Sequence, residues 1–170
     1  LERIKLIDKD SFTNRVCDIL LDGQRKFMEN IECSKCTDII CLADPALVNS
    51  GKMLVSASRL LHEEPVYYTP EEYCLHLERI ILLMEQNENY HVVIGKEPSE
   101  SVSYGVYEGH SAMIMRTKHP FTIYEVREQR YVNALYEYLM HIAYPTGSDK
   151  LNQRRNTLNQ LKTYLNKIKH

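Results

Sequence analysis

The sequence predicts a mixed α/β or α+β fold: a mixed sheet of about five strands, flanking helices and a long C-terminal helix. Three stretches lead to this class. A helix with a complete start signal begins at Thr69, a group of short strands follows from Tyr90, and a polar helix with regularly spaced leucines occupies Ser148 to Lys169. Apolar residues recur at helical spacing in the first and last stretches and at strand spacing between them.

Length and charge limit the classes of protein to which the chain can belong. It has 170 residues, a net charge of −2 and 44% hydrophobic residues, which suits one domain with an accessory segment. A near-neutral charge argues against a chain that binds nucleic acid or anionic membrane over its whole surface. The sequence has no apolar run of membrane-spanning length and no secretion signal, which predicts a cytoplasmic protein with no membrane partner.

The predicted organisation has three parts in chain order. They are a helical lead-in or linker at 1–32, an α/β sensing domain at 33–145, and a C-terminal helix at 146–170 that is a candidate dimerisation element. Strands are predicted at 38–43, 90–95, 102–107, 110–116 and 121–126, and helices at about 10–31, 53–61, 70–86, 129–142 and 148–168.

Five cysteines leave three interpretations open. Cys33 and Cys36 form a single C-x-x-C pair, and Cys41 follows five residues later. Structural zinc normally uses two such pairs, or two cysteines with two histidines, and a redox pair opens a helix after a strand. This pair precedes a strand instead. Ordinary reduced thiols are therefore favoured over a metal or redox site, and neither a metal nor a cofactor is predicted.

Thr69-Pro70-Glu71-Glu72 is the clearest local signal in the chain. The Thr69 hydroxyl can accept from the N–H three residues on, while the Glu72 carboxylate accepts from the N–H of Thr69. Pro70 occupies a position where no N–H is needed. The buried stripe predicted for this helix is Tyr73, Leu77, Ile80, Ile81 and Met84.

Glu108-Gly109 predicts a two-residue hairpin turn, which fixes the pairing of the two strands around it. Tyr107 then faces His110, and Gly105 faces Ala112. The predicted core face holds Val102, Tyr104, Val106, Met113 and Met115, and the other face holds Ser103, Gly105, Tyr107, His110, Ala112, Ile114 and Arg116.

Gly105 opposite Ala112 predicts that another group approaches the sheet closely. A packed helix is the favoured interpretation, and a bound ligand is the alternative. In the second case the ligand-binding residues are Gly105, Tyr107, His110 and Arg116.

Both later helices carry apolar stripes. The helix at 129–142 is predicted to bury Tyr131, Leu135, Tyr138, Leu139 and Ile142. In the tail, Leu151, Leu158, Leu161, Leu165 and Ile168 stand at steps of seven, three, four and three, a coiled-coil pattern with Arg154 in the vacant position. The tail either packs on its own domain or pairs with a second copy through Leu158, Leu161, Leu165 and Ile168.

Motifs that carry catalysis or nucleotide binding are missing from the sequence. It has no G-x-S-x-G, H-E-x-x-H or G-x-G-x-x-G, and its seven histidines show no ligand spacing. Twelve tyrosines against three phenylalanines suit either a semi-polar pocket or an ordinary surface. The sequence therefore predicts no catalytic residues.

The layout from Tyr68 to His141 resembles the regulatory domain of bacterial one-component transcription regulators. It is carried by a Tyr-Thr-Pro-Glu-Glu helix, then His-Val-Val-Ile, then Gly-Val-Tyr-Glu-Gly-His-Ser-Ala-Met-Ile-Met-Arg-Thr, then Phe-Thr-Ile-Tyr-Glu-Val and a tyrosine-rich helix. Some such domains resemble a phospholipase D fold without its chemistry. The H-x-K-x-x-x-x-D motif of that activity is missing here.

The resemblance implies a non-catalytic domain that senses an unknown small-molecule effector and forms a homodimer. DNA would be contacted only through a helix-turn-helix module that precedes Leu1. Two alternatives remain open: a small intracellular enzyme with an unrecognised site, and a protein–protein interaction module without a small-molecule ligand.

Overall fold

The computed structural model describes residues 18, 21–23, 25–26, 28–29, 31, 35–54, 67–95, 102–116, 122–145 and 149–169. The predicted class is confirmed, because helices and strands are mixed along the chain and a long helix follows them. The five strands described are divided between a sheet of two strands and a sheet of three.

The bounds of most elements lie close to the predicted ones. The strands are β1 (Cys36–Ile40), β2 (Tyr90–Ile94), β3 (Val102–Tyr107), β4 (Ser111–Arg116) and β5 (Thr122–Val126). The helices with complete bounds are α1 (Pro45–Asn49), α2 (Pro70–Gln86), α3 (Gln129–Ala143) and α4 (Lys150–Lys169). The residues described between 18 and 31 are helical. Most of the helix predicted at 53–61 lies outside the described residues, and Leu54 forms a bridge with Tyr67.

Helix α1 is absent from the prediction, which ends the preceding strand at Asp44-Pro45. The Asp44 carboxylate accepts from the N–H of Ala46 at 2.8 Å, and Pro45 takes the first helical position. An Asp-Pro pair is a helix-start signal as well as a strand terminator. The chain therefore turns directly from β1 into a short helix.

β1 and β2 form the two-stranded sheet. The Cys36 N–H donates to the Asn89 carbonyl at 2.8 Å, and the Gly95 N–H donates to the Ile40 carbonyl at 2.7 Å. The partners advance in the same direction along both strands, so the pair is parallel. The segment between them contains α1 and α2, in agreement with the long crossover that parallel strands require.

Helix α2 begins as predicted. The Glu72 N–H donates to the Thr69 hydroxyl at 3.2 Å, and the Thr69 N–H donates to the Glu72 carboxylate at 2.9 Å. These two bonds satisfy donors that a helix start otherwise leaves unpaired. The buried stripe contains the five predicted residues and Cys74.

The pairing of β3 with β4 corrects the predicted register by one residue. Tyr107 pairs with Ser111 and Gly105 pairs with Met113. The His110 N–H donates to the Tyr107 carbonyl at 3.0 Å, and Gly109 has a φ of 71°. Glu108 does not adopt a positive φ, so the turn is of type II and not the type I′ of a two-residue hairpin. The turn therefore contains one more residue than predicted.

The one-residue shift places each β4 side chain on the opposite face of the sheet from the one predicted, because successive side chains along a strand point to opposite faces. β5 pairs antiparallel with β4, and α3 lies against β3 and β4. Ala112 is the single buried residue described in this sheet, so α3 covers part of the face to which Ala112 belongs, while Tyr104 and Tyr124 on that face are 43% and 62% exposed. That face carries Val102, Tyr104, Val106, Ala112, Ile114, Arg116, Thr122, Tyr124 and Val126. The predicted core positions of Met113 and Met115 are wrong, since both lie on the opposite face.

The side of α3 that is buried also differs from the predicted one. Its buried residues are Val132 and Ala143, whereas Tyr131, Tyr138 and Ile142 are exposed. The partly covered residues Leu135, Tyr136, Leu139 and Met140 complete the true stripe. Apolar residues occupy more than one side of this helix, so helical spacing alone permits two neighbouring stripes.

The chain forms two compact units that interleave along the sequence. The first unit comprises Leu1–Asp38, Ala43–Val92 and Leu158–His170, and the second comprises Ile39–Leu42 and Val93–Thr157. Buried side chains of the first unit include the α2 stripe and Ile31, Val48, Tyr90, Val92, Leu161, Leu165 and Ile168. Those of the second unit include Val93, Ala112, Val132 and Ala143.

Candidate binding surfaces

The face of the β3–β4–β5 sheet opposite α3, here called the open face, presents apolar side chains to solvent. It consists of Ser103, Gly105, Tyr107, Ser111, Met113, Met115, Ile123 and Glu125. Tyr107 is 62% exposed, Met113 is 42% exposed and Ile123 is 51% exposed. Solvent-facing positions of an antiparallel sheet are usually polar, so this grouping indicates a surface that binds something.

Gly105 leaves a gap in the open face. Apart from its two chain neighbours, none of the described residues has an atom within 4 Å of the position that a Cβ on Gly105 would occupy. The close approach predicted at Gly105 opposite Ala112 is therefore wrong, because α3 covers Ala112 on the other face of the sheet. Small-molecule sites are concave, whereas the space above Gly105 is open, which is the geometry of an association surface.

Three of the four predicted ligand-binding residues lie together. Gly105 and Tyr107 are two residues apart on the open face, and the Tyr107 and His110 rings stack with their centroids 4.3 Å apart. His110 Nδ1 lies 3.0 Å from the Glu108 carbonyl oxygen, which holds the ring over the turn. Arg116 pairs with Val102 at the far end of the hairpin and belongs to the face that α3 covers.

Met113 and Ile123 are candidate binding residues that the sequence analysis missed. The two-residue turn predicted at Glu108-Gly109 places Met113 in the core, and the sequence predicts no buried or exposed face for the strand that contains Ile123. One signal was available: Gly109 follows a residue that disfavours positive φ, which favours type II over type I′. That turn places the small Ala112 inside and Met113 outside.

A second group of reactive residue types lies on β1 and β2 in the first unit. The Tyr90 hydroxyl donates to Asp38 Oδ2 at 2.7 Å, and Cys36 Sγ lies 4.0 Å from Asp38 Oδ1. Burial raises the pKa of the Asp38 carboxyl, and the hydrogen bond from Tyr90 offsets part of that rise. Burial, together with the charge of Asp38, raises the pKa of the Cys36 thiol to about 12.

These shifts decide what the Asp38 group can do. A nucleophilic cysteine needs a lowered pKa, whereas the Cys36 thiol stays protonated at neutral pH. The pKa of Tyr90 is also raised, by burial and then by the charge of Asp38, so its hydroxyl remains a donor. The geometry is that of a partly buried hydrogen-bonded pair that joins two strands and offers no nucleophile.

The three cysteines in the described ranges form no disulfide. Cys36, Cys41 and Cys74 are free thiols, and Cys33 lies outside the described residues. Burial raises the pKa of Cys41 and of Cys74. Within the ranges that the structure describes, no three His, Cys, Asp or Glu side chains are grouped closely enough to hold a metal ion.

Tyrosines bind both backbone polar groups of Ala43, which follows β1. The Ala43 N–H donates to the Tyr73 hydroxyl at 3.4 Å, and the Tyr164 hydroxyl donates to the Ala43 carbonyl. Burial and the neighbouring Tyr73 raise the pKa of Tyr164, which keeps its proton available for that bond. These two tyrosines serve as a hydrogen-bond acceptor and a hydrogen-bond donor for the backbone.

The predicted dimerisation residues on α4 are mostly covered by their own chain. Leu161 is 0% exposed, Leu165 and Ile168 are buried, and Leu158 is partly covered. Lys162 on α4 binds Glu85 on α2 with 2.6 Å between Nζ and Oε1, and Lys169 binds Glu78 in the same way. This geometry favours the interpretation in which the helix packs on its own domain.

None of the helices in the described ranges combines the length and the apolar character that crossing a lipid bilayer requires. Comparison of the chain with models of protein families, with well-characterised proteins and with solved structures found no match.

Proposed function

We propose that this chain is a non-catalytic association domain that pairs with a second copy through the open face. In the form we favour, it is the sensing and dimerisation domain of a bacterial transcription regulator in the cytoplasm. The observation that carries the proposal is the exposure of Tyr107, Met113 and Ile123 on one face of the sheet.

A second copy fits the open face better than a small ligand does. Methionine and aromatic residues are enriched at protein interfaces, and the space over Gly105 is unenclosed. A two-fold pair uses the same patch on both partners, so a single apolar face is sufficient. The alternative seam on α4 is largely occupied, since Leu161, Leu165 and Ile168 are buried within the chain.

The size of the open face predicts weak pairing. Three strands about 4.8 Å apart and six residues long span roughly 300 Å². A standard interface buries about 800 Å² on each partner, so this face alone supports a reversible dimer in the micromolar range or weaker. Weak association suits a domain whose pairing responds to a signal.

The stacked rings of Tyr107 and His110 lie at one end of the open face. An effector that bound to these rings would change the free energy of pairing, because it would contact the paired and unpaired states differently. In this proposal DNA is contacted by a module outside the chain, whose two copies are brought together by the pairing.

Sedimentation velocity across tens to hundreds of micromolar tests the proposal. The natural chain should show reversible association. Met113→Lys places a charge at the centre of the open face, and because Met113 is 42% exposed, a lysine there can extend into solvent and preserve the fold. We expect this variant to remain a monomer over the whole range.

Leu75→Lys is the matched control, because Leu75 is an exposed apolar residue on α2 and lies outside the open face. It should associate like the natural chain. A natural chain that stays monomeric throughout, or a Met113→Lys variant that pairs as well as the control, would show that the open face is not a dimer interface.

A further inference from the structure

Seven exposed residues form one polar stripe along α4. They are Asn152, Arg155, Asn156, Asn159, Thr163, Asn166 and Lys167. At 100° per residue they fall within an arc of about 120°, and the stripe is about 22 Å long. Leu161 and Leu165 lie on the opposite side of the helix, where the chain buries them. The stripe therefore points away from the core.

The charge of the chain is divided unevenly. Residues 150–170 contain six of the 21 Lys and Arg residues and no Asp or Glu, which gives this segment a charge of +6. The other 149 residues hold fifteen Lys and Arg and all 23 Asp and Glu, a charge of −8. Arg155 and Lys167 on the stripe form no ion pair with any described residue, whereas Lys162 and Lys169 bind acids of α2.

Asparagine is an unusual choice for this stripe. It is among the poorer helix formers, and a helix face that only meets water is better filled by Glu, Lys, Gln or Arg. Four of the seven positions are nevertheless asparagine. Residues that have a low propensity for the helix or strand in which they lie, and that do not improve packing, often mark a functional surface.

We propose that the polar stripe of α4 binds double-stranded DNA in the major groove. The groove of B-DNA is about 12 Å wide and admits an α-helix. Arginine and lysine contact phosphates or guanine, asparagine makes a two-bond contact with adenine, and threonine contacts phosphates. Among the described residues, the only carboxylate bound to one of these donors is that of Asp149 at the N-terminal end of the helix, where it accepts from Asn152 Nδ2 at 2.7 Å, so the stripe from Arg155 to Lys167 is the part that suits phosphates. This contact is independent of pairing through the open face and adds to any DNA-binding module outside the chain.

Two other polyanions fit the helix less well. Binding of a helix at a membrane surface requires a free apolar side, and that side of α4 is buried at Leu161, Leu165 and Ile168. Double-stranded RNA has a deep, narrow major groove that side chains cannot read. B-form DNA is therefore the partner whose groove matches the stripe.

Fluorescence anisotropy with a labelled duplex of roughly 20 base pairs, two turns of DNA, tests the inference. The natural chain should bind at low salt, and the logarithm of its affinity should fall against the logarithm of salt concentration with a slope of about −2 to −3. Arg155→Gln with Lys167→Gln should weaken binding at least tenfold and reduce that slope by one to two units.

Lys52→Gln with Arg79→Gln is the matched control, since both residues are exposed and lie outside α4, and the change in net charge is the same. It should bind DNA within about twofold of the natural chain, because neither residue belongs to the stripe that enters the groove. Asn156→Ala with Asn159→Ala raises helix propensity, so weaker binding by this variant cannot be ascribed to a weaker helix.

The inference would be overturned if the natural chain failed to bind the duplex at low salt, or if the control variant bound DNA as weakly as the stripe variant. It would also be overturned if the chain bound an RNA duplex of the same sequence as tightly as DNA. Weaker binding by both stripe variants, with the control unchanged, would establish it.

Discussion

Replacement of Leu161 with alanine tests whether α4 belongs to the core of its own chain. Leu161 is 0% exposed. The change removes three carbon atoms, worth roughly 2.4 kcal/mol at about 0.8 kcal/mol each, and leaves a cavity lined by residues that relax only partly. We expect the free energy of unfolding to fall by about 2–5 kcal/mol, a large share of the 5–15 kcal/mol typical of a domain.

Urea unfolding followed by circular dichroism, at two protein concentrations, measures this loss. Leu151→Ala is the control: Leu151 lies on the same helix but is 77% exposed, so its replacement should change stability by less than about 0.5 kcal/mol. If α4 were instead a seam between copies, Leu161→Ala would abolish any dependence of the midpoint on concentration and change monomer stability little. That result would refute the packing described here.

Four further predictions concern stability measured by urea unfolding. Tyr90→Phe removes the donor to the Asp38 carboxylate and should cost about 1.5–3 kcal/mol at pH 7. Because the folded pKa of Asp38 is raised above its ordinary 3.8, stability should fall as pH rises from that value through the folded pKa, and a pH series on Asp38→Asn should lack this fall. Gly95→Ala places a Cβ 3.2 Å from a sulfur atom and should cost about 1–3 kcal/mol, whereas Gly105→Ala meets open space and should be nearly neutral. Thr69→Ala removes one half of the capping box and should cost about 1 kcal/mol, and an unchanged midpoint would show that the cap contributes nothing.

Local chemistry explains why some elements were predicted well. The start of α2 depends on Thr69, Pro70 and Glu72, which lie within one turn of each other, so the sequence contains the whole signal. The end of β3 follows in the same way from the turn at Glu108-Gly109. Such elements need no information about distant residues.

The open face could not be predicted, because its composition depends on one backbone angle. A positive φ at Glu108 would give the predicted register, and a negative φ gives the observed one. A glycine at position 109 is compatible with both turns. The prediction therefore found Tyr107 and His110, which flank the turn, but grouped Arg116 with them and assigned Met113 to the core.

The two compact units interleave along the sequence, and local sequence patterns do not predict this second feature. Spacing of leucines in α4 shows that one side of the helix is buried, but it does not show what covers that side. The structure supplies the answer through Glu78 and Glu85 on α2, which bind lysines of α4 from more than 70 positions away.

The contacts of Ala43 with Tyr73 and Tyr164 bear on the order of events during synthesis. The ribosome releases α2 and the two parallel strands well before α4, so the Ala43 carbonyl and the carboxylates of Glu78 and Glu85 have no α4 partner until that helix is made. At 5–20 residues per second, the roughly 75 residues between β2 and the end of α4 take about 4–15 s. The first unit is therefore completed only after translation of α4, because Leu158–His170 belongs to it.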